Sequence, residues 1–232
     1  MSRLLLPFAF AALAILVPQT LQAQAAAAGS ASEDSRPLSP AQIALFETPH
    51  LRGVVAPETL RYTYRRTGPA GFTDTVEVHV REINPDGTKN LTFDFLTGPH
   101  RVIFPAIDHF RGNPLLMLVL ERDVAAMKEA VGISSSYFRN RIRESFVQAA
   151  TVSDSSAEIL GKPTPARVIT VQPFAHETRL ERIASLQAKR YTFVLADGVP
   201  GMIAEIRIET PPDQALQAPA MSEQITLTGV EP

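Results

Sequence analysis

Apolar and polar residues alternate with a period of two through the first third of the chain after residue 58. In "TLRYTYRR", Leu60, Tyr62 and Tyr64 alternate with Arg61, Thr63 and Arg65. In "TDTVEVHVREI", Val76, Val78 and Val80 alternate with Glu77, His79 and Arg81. The turn "NPDG" (Asn84 to Gly87) then leads into "TKNLTFDFL", with Leu91, Phe93 and Phe95 on one face, and "TGPH" (Thr97 to His100) turns the chain into "RVIF". Such alternation predicts antiparallel strands with one buried and one wet face. The short turns between them predict a meander.

The period changes in the middle of the chain. Asn113 suits an N-cap, Pro114 the first helical position and Gly132 the C′ position. Between them Leu116, Leu120, Val124, Met127 and Val131 recur at spacings of four and three, which predicts a helix over 114–131. Its start is unusual, because Leu115 to Leu120 are six apolar side chains in a row. A buried strand could also read that way, but Leu and Met favour helix and the stripe continues in phase. A second helix is expected near 136–150, with Phe138, Ile142, Phe146 and Ala149 as its apolar face.

The last third returns to strands. "PARVITVQPF" is one, "HETRLERIASLQ" reads as a short helix or irregular connection, and "KRYTFVLA" and "MIAEIRIET" form a hairpin around "DGVPG". A Pro-containing loop precedes the last strand, "EQITLTGV". A helix that is apolar all round in its first half must be covered all round there. A flat sheet touches one side only, whereas a strongly twisted one encloses more. The expected fold class is therefore α+β, mostly antiparallel β: a curved sheet, or half-open barrel, of about seven or eight strands wrapping a central helix pair. Burial of the six-residue run contributes roughly 10 kcal/mol before entropy is subtracted.

The N-terminus has another character. Arg3, the fourteen-residue apolar stretch Leu4 to Val17, Pro18, and small residues at Ala23 and Ala25 make the three regions of a signal peptide, 1–25, cleaved near Ala23 or Ala25. The apolar stretch is short of the roughly 20 residues that span a bilayer. No Cys follows it, so there is no thiol to acylate. Residues 26–42, rich in Ala, Ser and Pro, read as a disordered linker, and 43–232 as one domain. A periplasmic or secreted location follows, with no transmembrane span in the mature chain. Without Arg3, 21 basic residues face 24 acidic ones, too balanced for nucleic acid as a partner. The absence of Cys also excludes disulfides, thiolate metal sites and a thiol nucleophile.

Residues with chemistry are scattered. His100, Asp108 and His109, with His50 or His176, carry metal-ligand atoms but match no short metal motif, so no metal site is expected. The hydroxyls of "SSSYFRNR" are expected to cap a helix. No Ser lies in a G-x-S-x-G setting, and no catalytic residue or cofactor is assigned. Arg139 and Arg143, four apart, form an exposed face that could pair with a carboxylate or phosphate of a ligand or partner. "ERD" (Glu121 to Asp123) reads as surface charge. Tyr62, Tyr64, Phe93 and Phe95, with Leu116 and Leu120, are candidate lining of a pocket between sheet and helix.

The element order, strands then two helices then strands, with the late hairpin "LADGVPGMIAEIRIE", is similar to that of periplasmic lipoprotein carriers of the LolA/LolB type. The resemblance covers most of the mature chain at the level of topology, through no specific motif. It implies an apolar concave surface that accommodates acyl chains. The LolB type is anchored through a Cys that this chain lacks. The functional expectation is a non-catalytic periplasmic carrier for a hydrophobic or amphipathic ligand. A cell-envelope module that contacts another envelope protein is the alternative, and a hydrolase with a dispersed active site a third reading.

Overall fold

The computed structural model describes residues 37–68, 70–214 and 217–232, which form one compact unit from Leu38 to Pro232. The expected signal peptide and residues 26–36 of the expected linker lie outside the described residues. The fold starts earlier than residue 43. Ser39 caps the short helix α1 (Pro40–Gln42) in a reciprocal box: Gln42 N donates to Ser39 Oγ and Ser39 N donates to Gln42 Oε1. A π-helical turn, Ile43–Glu47, continues it, and Thr48 N closes the turn on the Ile43 carbonyl.

Nine antiparallel strands form a single curved, unclosed sheet: β1 (Glu58–Thr67), β2 (Phe72–Ile83), β3 (Lys89–Phe95), β4 (Ile107–Phe110), β5 (Thr151–Ile159), β6 (Lys162–Val171), β7 (Arg190–Leu195), β8 (Ile203–Thr210) and β9 (Met221–Glu231). Their order across the sheet is β4-β3-β2-β1-β9-β8-β7-β6-β5. Two meanders, β1–β4 and β5–β8, are thus joined through β9, which pairs with β1 on one side and β8 on the other. The fold is the expected α+β half-open barrel, with a longer sheet.

The alternation seen in the sequence is the alternation of burial. Leu60, Tyr62 and Tyr64 of β1, Val76, Val78 and Val80 of β2, and Tyr191, Phe193 and Leu195 of β7 all point into the core. The opposite face carries cross-strand charge pairs such as Arg61–Glu77 and Arg61–Glu231. Two strands differ from expectation. "RVIF" contributes only a bridge between Val102 and Phe95, and the fourth strand forms later, at Ile107–Phe110. β5 has no apolar alternation at all and is exposed on both faces over most of its length. It is held by its ladder to β6 at the sheet edge.

Helices α2 (Pro114–Val131) and α3 (Ser135–Gln148) cover the buried face. Asn113 caps α2 through Leu116 N, and Gly132 ends it in the left-handed conformation, φ 71°. Ser134 caps α3 through Tyr137 N. Of the apolar run, Leu115, Leu116, Leu118 and Val119 are buried, while Met117 is exposed and Leu120 half-buried, so the greasy start of α2 is covered on most sides but not all round as expected. Phe138, Ile142 and Phe146 of α3 are buried as expected, but Ala149 is exposed beyond the last turn. Phe146 meets Phe193 of β7 at 5.8 Å between ring centroids. A fourth helix, α4 (Ala184–Gln187), lies in the connection before β7.

One reading is corrected. Asp123, expected at the surface with Glu121 and Arg122, is 5% exposed. Its carboxylate accepts from Lys189 Nζ at 2.6 Å and from the Tyr191 hydroxyl. Position 123 falls on the sheet-facing side of α2, beside buried Val119 and Val124, and a charge there is compatible with folding only because a buried cation meets it.

Candidate functional site

The polar hub at the start of α2 sets one wall of a groove. Asn113 uses its whole side chain: Oδ1 accepts from Leu116 N, while Nδ2 faces His50 Nδ1 at 3.0 Å and donates to the Gly201 carbonyl at 3.1 Å. The other ring nitrogen of His50 bonds the Ala44 carbonyl at 2.7 Å. These contacts require a neutral imidazole, with Nδ1 accepting and Nε2 donating. The hub thereby fastens the π-turn Ile43–Glu47 to the head of α2. At the other end Ser39 Oγ donates to the Phe146 carbonyl at 2.6 Å, and Phe46 sits edge-on to Phe146 at 5.2 Å.

Between the π-turn, α2 and α3 lies an open groove of about 470 Å³. Leu45, Phe46, Leu116, Leu120, Val124 and Ile142 give it an apolar floor. Phe46 and Met117, 44% and 37% exposed, leave apolar surface at its mouth. Arg139 and Arg143 of α3 line the rim with Glu121 and Glu47. Arg139 is engaged by a two-pronged pair with Glu121 across the helix interface, at 2.7 to 3.0 Å. Arg143 is exposed and has no ion pair among the described residues.

Two of the six expected pocket residues, Leu116 and Leu120, line this groove, and the two arginines stand at its edge. The aromatic four do not. Tyr62, Tyr64 and Phe95 are fully buried core, and Phe93 is half-buried against it. The groove therefore opens on the helical side of α2, away from the face that packs on the strands. The π-turn wall carried no periodic signal in the sequence. Its clue was the pair of apolar residues Leu45 and Phe46 beside the capping sequence "SPAQ".

The histidines expected as scattered polar residues stay apart. His50 belongs to the hub, His100 stacks on Phe72 at 3.8 Å, and His109 contacts Thr88. Among the described residues the donors that do gather are Glu77, His79 and Asp94, within 4.8 Å of one another on the outer face of β2 and β3. Arg61 already holds Glu77 and Arg101 already holds Asp94, so the group is a cross-strand ladder of charge pairs.

Burial pushes the His50 pKa below its usual 6.5; the nearby Arg167 acts in the same direction, and the Ala44 carbonyl and Asp197 oppose it. A depressed histidine pKa means the unfolded chain binds the proton more tightly. Stability is then whole above pH 6.5 and declines as the pH falls from there toward the lower folded-state value. Thermal melts of the protein and of His50→Gln, which still donates to Ala44 but does not titrate, are expected to diverge from pH 7 to pH 5. The variant keeps the flatter profile; parallel profiles would remove His50 as the cause.

No protein-family model matches the chain, and no curated protein matches it. Among solved structures it is similar to the crystal structure of the Mycobacterium tuberculosis lipoprotein LppX. The match has 12% identity, a TM-score of 0.30, and covers 73% of this chain and 84% of that one. This is a weak resemblance at the level of the fold and carries no argument about function. Among the described residues no helix is long and apolar enough to cross a membrane.

Proposed function

We propose that the protein is a non-catalytic binding or carrier protein for a hydrophobic or amphipathic ligand, exported to the periplasm or secreted, and that the ligand's apolar part lies in the groove between α2, α3 and the π-turn. The observation that carries this reading is the groove itself: about 470 Å³ of open space floored by aliphatic and aromatic side chains, within the size range of small-molecule sites. The export part is supported by the signal-peptide pattern of residues 1–25. An acyl chain of roughly ten methylenes laid in such a groove gains about 8 kcal/mol before the cost of association, at about 0.8 kcal/mol each. After an association cost of about 4 kcal/mol or more, that burial alone supports millimolar affinity, so tighter binding requires the head group to contribute as well. Arg143 at the rim offers a guanidinium to an anionic head group.

The test is titration of the mature protein with a fluorescent acyl probe and displacement by unlabelled fatty acid. Binding is expected to saturate, and Leu120→Trp, which fills the groove from a half-exposed position, is expected to weaken it at least tenfold while leaving the circular dichroism spectrum intact. A well-folded sample with no saturable binding refutes the reading, as does a Leu120→Trp protein that binds like the parent.

A further inference from the structure

A second cavity, of about 350 Å³, lies under the C-terminal half of α2 and shares no lining residue with the groove. Its walls are apolar in part, with Ala126, Met127, Val131, Ile183 and Leu186 around it. Its base is charged. The inward stripe of β1 runs Leu60, Tyr62, Tyr64 and then Arg66, and that of β9 runs back from Leu227 and Ile225 to Glu223, the register partner of Arg66. Lys189 stands on the same side as Tyr191, at the start of β7. The core face of the sheet thus turns from aliphatic to ionic at this end, directly below Arg122 and Asp123.

The charges divide unevenly. Asp123 is taken by Lys189 and Tyr191, and Glu223 by Arg122, which also reaches the Tyr64 hydroxyl. Asp213, behind the wall, accepts from Ser185 N. Arg66, half-buried and lining the cavity, has no ion pair or hydrogen bond from its side chain among the described residues. Arg66 Nε, Arg122 Nε and Thr210 Oγ1 are all buried without a hydrogen-bond partner, and all three residues line this one cavity. A buried polar group without a partner is destabilising, so a fold that gathers three of them beside one open space is incomplete there.

We infer that this cavity binds a small organic monocarboxylate with an apolar body, its carboxylate paired to Arg66. A planar guanidinium in want of a partner matches a carboxylate in geometry and charge. The apolar walls take the body of the ligand. The neighbouring carboxylates Asp123 and Glu223 disfavour a dianion such as a phosphate monoester, since like charges brought together in a half-buried site repel. A cationic amphiphile meets Arg66, Arg122 and Lys189 instead and is excluded.

The test uses octanoate, octanol, octyl phosphate and octylamine as probes, with ¹H–¹⁵N chemical shifts of the labelled protein as the readout, so that each binding site reports separately. Octanoate is expected to shift the amides of Ser185, Thr210 and Met221 saturably, and at least tenfold more tightly than the other three. Arg66→Gln is expected to weaken octanoate at least tenfold and leave octanol unchanged; Arg66→Lys, which keeps the charge without the fork, recovers part of the loss. Octanoate shifts confined to groove residues such as Phe46, Met117 and Ile142 overturn the inference. Equal affinity for octanol and octanoate at the cavity overturns it too, and needs no variant. Because groove and cavity amides are read independently, a groove that binds nothing bears on the carrier reading alone.

Discussion

Replacement of Asn113 by alanine is expected to destabilise the protein by about 3 kcal/mol in urea denaturation. Three contacts go at once. The N-cap bond to Leu116 N is worth about 1 kcal/mol. The contacts from Nδ2 to His50 Nδ1 and to the Gly201 carbonyl are buried, and their loss leaves two acceptors without donors, at about 1 kcal/mol or more each. Asn113→Asp preserves the cap but replaces the two donated hydrogen bonds with a buried charge, and is expected to be no better than alanine. A loss under about 1 kcal/mol for Asn113→Ala would mean that water enters and takes over the hub. Acyl binding in the groove should weaken along with stability, because the same side chain ties the π-turn wall to α2.

The second large effect is at Asp123. Asp123→Ala is expected to cost about 3–5 kcal/mol, since it takes the ion-pair partner from Lys189, which is 3% exposed. The paired replacement Asp123→Leu with Lys189→Met removes both charges and keeps the volume. It should recover more than half of that loss, because desolvating two ions offsets most of what their attraction contributes. The cycle is closed with Asp123→Leu alone and Lys189→Met alone. Additive losses, with no recovery in the double variant, would show that the pair does not act as a unit. The Tyr191 hydroxyl, which donates to Asp123, loses its acceptor in each Asp123 variant; burial, with Asp123 beside it, holds its pKa well above the usual tyrosine value.

The parts of the fold that the sequence discloses are those where burial leaves a local pattern. The inward stripes of β1, β2 and β3, the caps Asn113 and Ser134, and the left-handed Gly132 are read from neighbours a few residues apart. β5 escapes because its nine residues, rich in Ser and Thr, bury little on either face. Only the partner strand β6 makes it a strand. Asp123 misleads for a related reason: "ERD" looks solvated in its own stretch, and the cation that allows its burial comes 66 residues later. The lining of the candidate groove was partly visible. Leu116, Leu120, Arg139 and Arg143 do converge on one groove. Tyr62, Tyr64 and Phe95 fill the core instead, because the sheet closes on α2 tightly enough to leave them no opening.

The placement of β9 has a temporal side. The latest strand in sequence occupies the middle of the sheet, and its partners in β1 precede it by more than 150 residues, as with Thr63 and Thr226. While the chain is being synthesised, neither hairpin array can dock on the other until the stretch from Met221 to Glu231 has emerged. Up to that moment the nascent polypeptide has two half-sheets without a common seam, and the contacts that join them close a loop of more than 150 residues, the kind of non-local pairing that forms late and slowly.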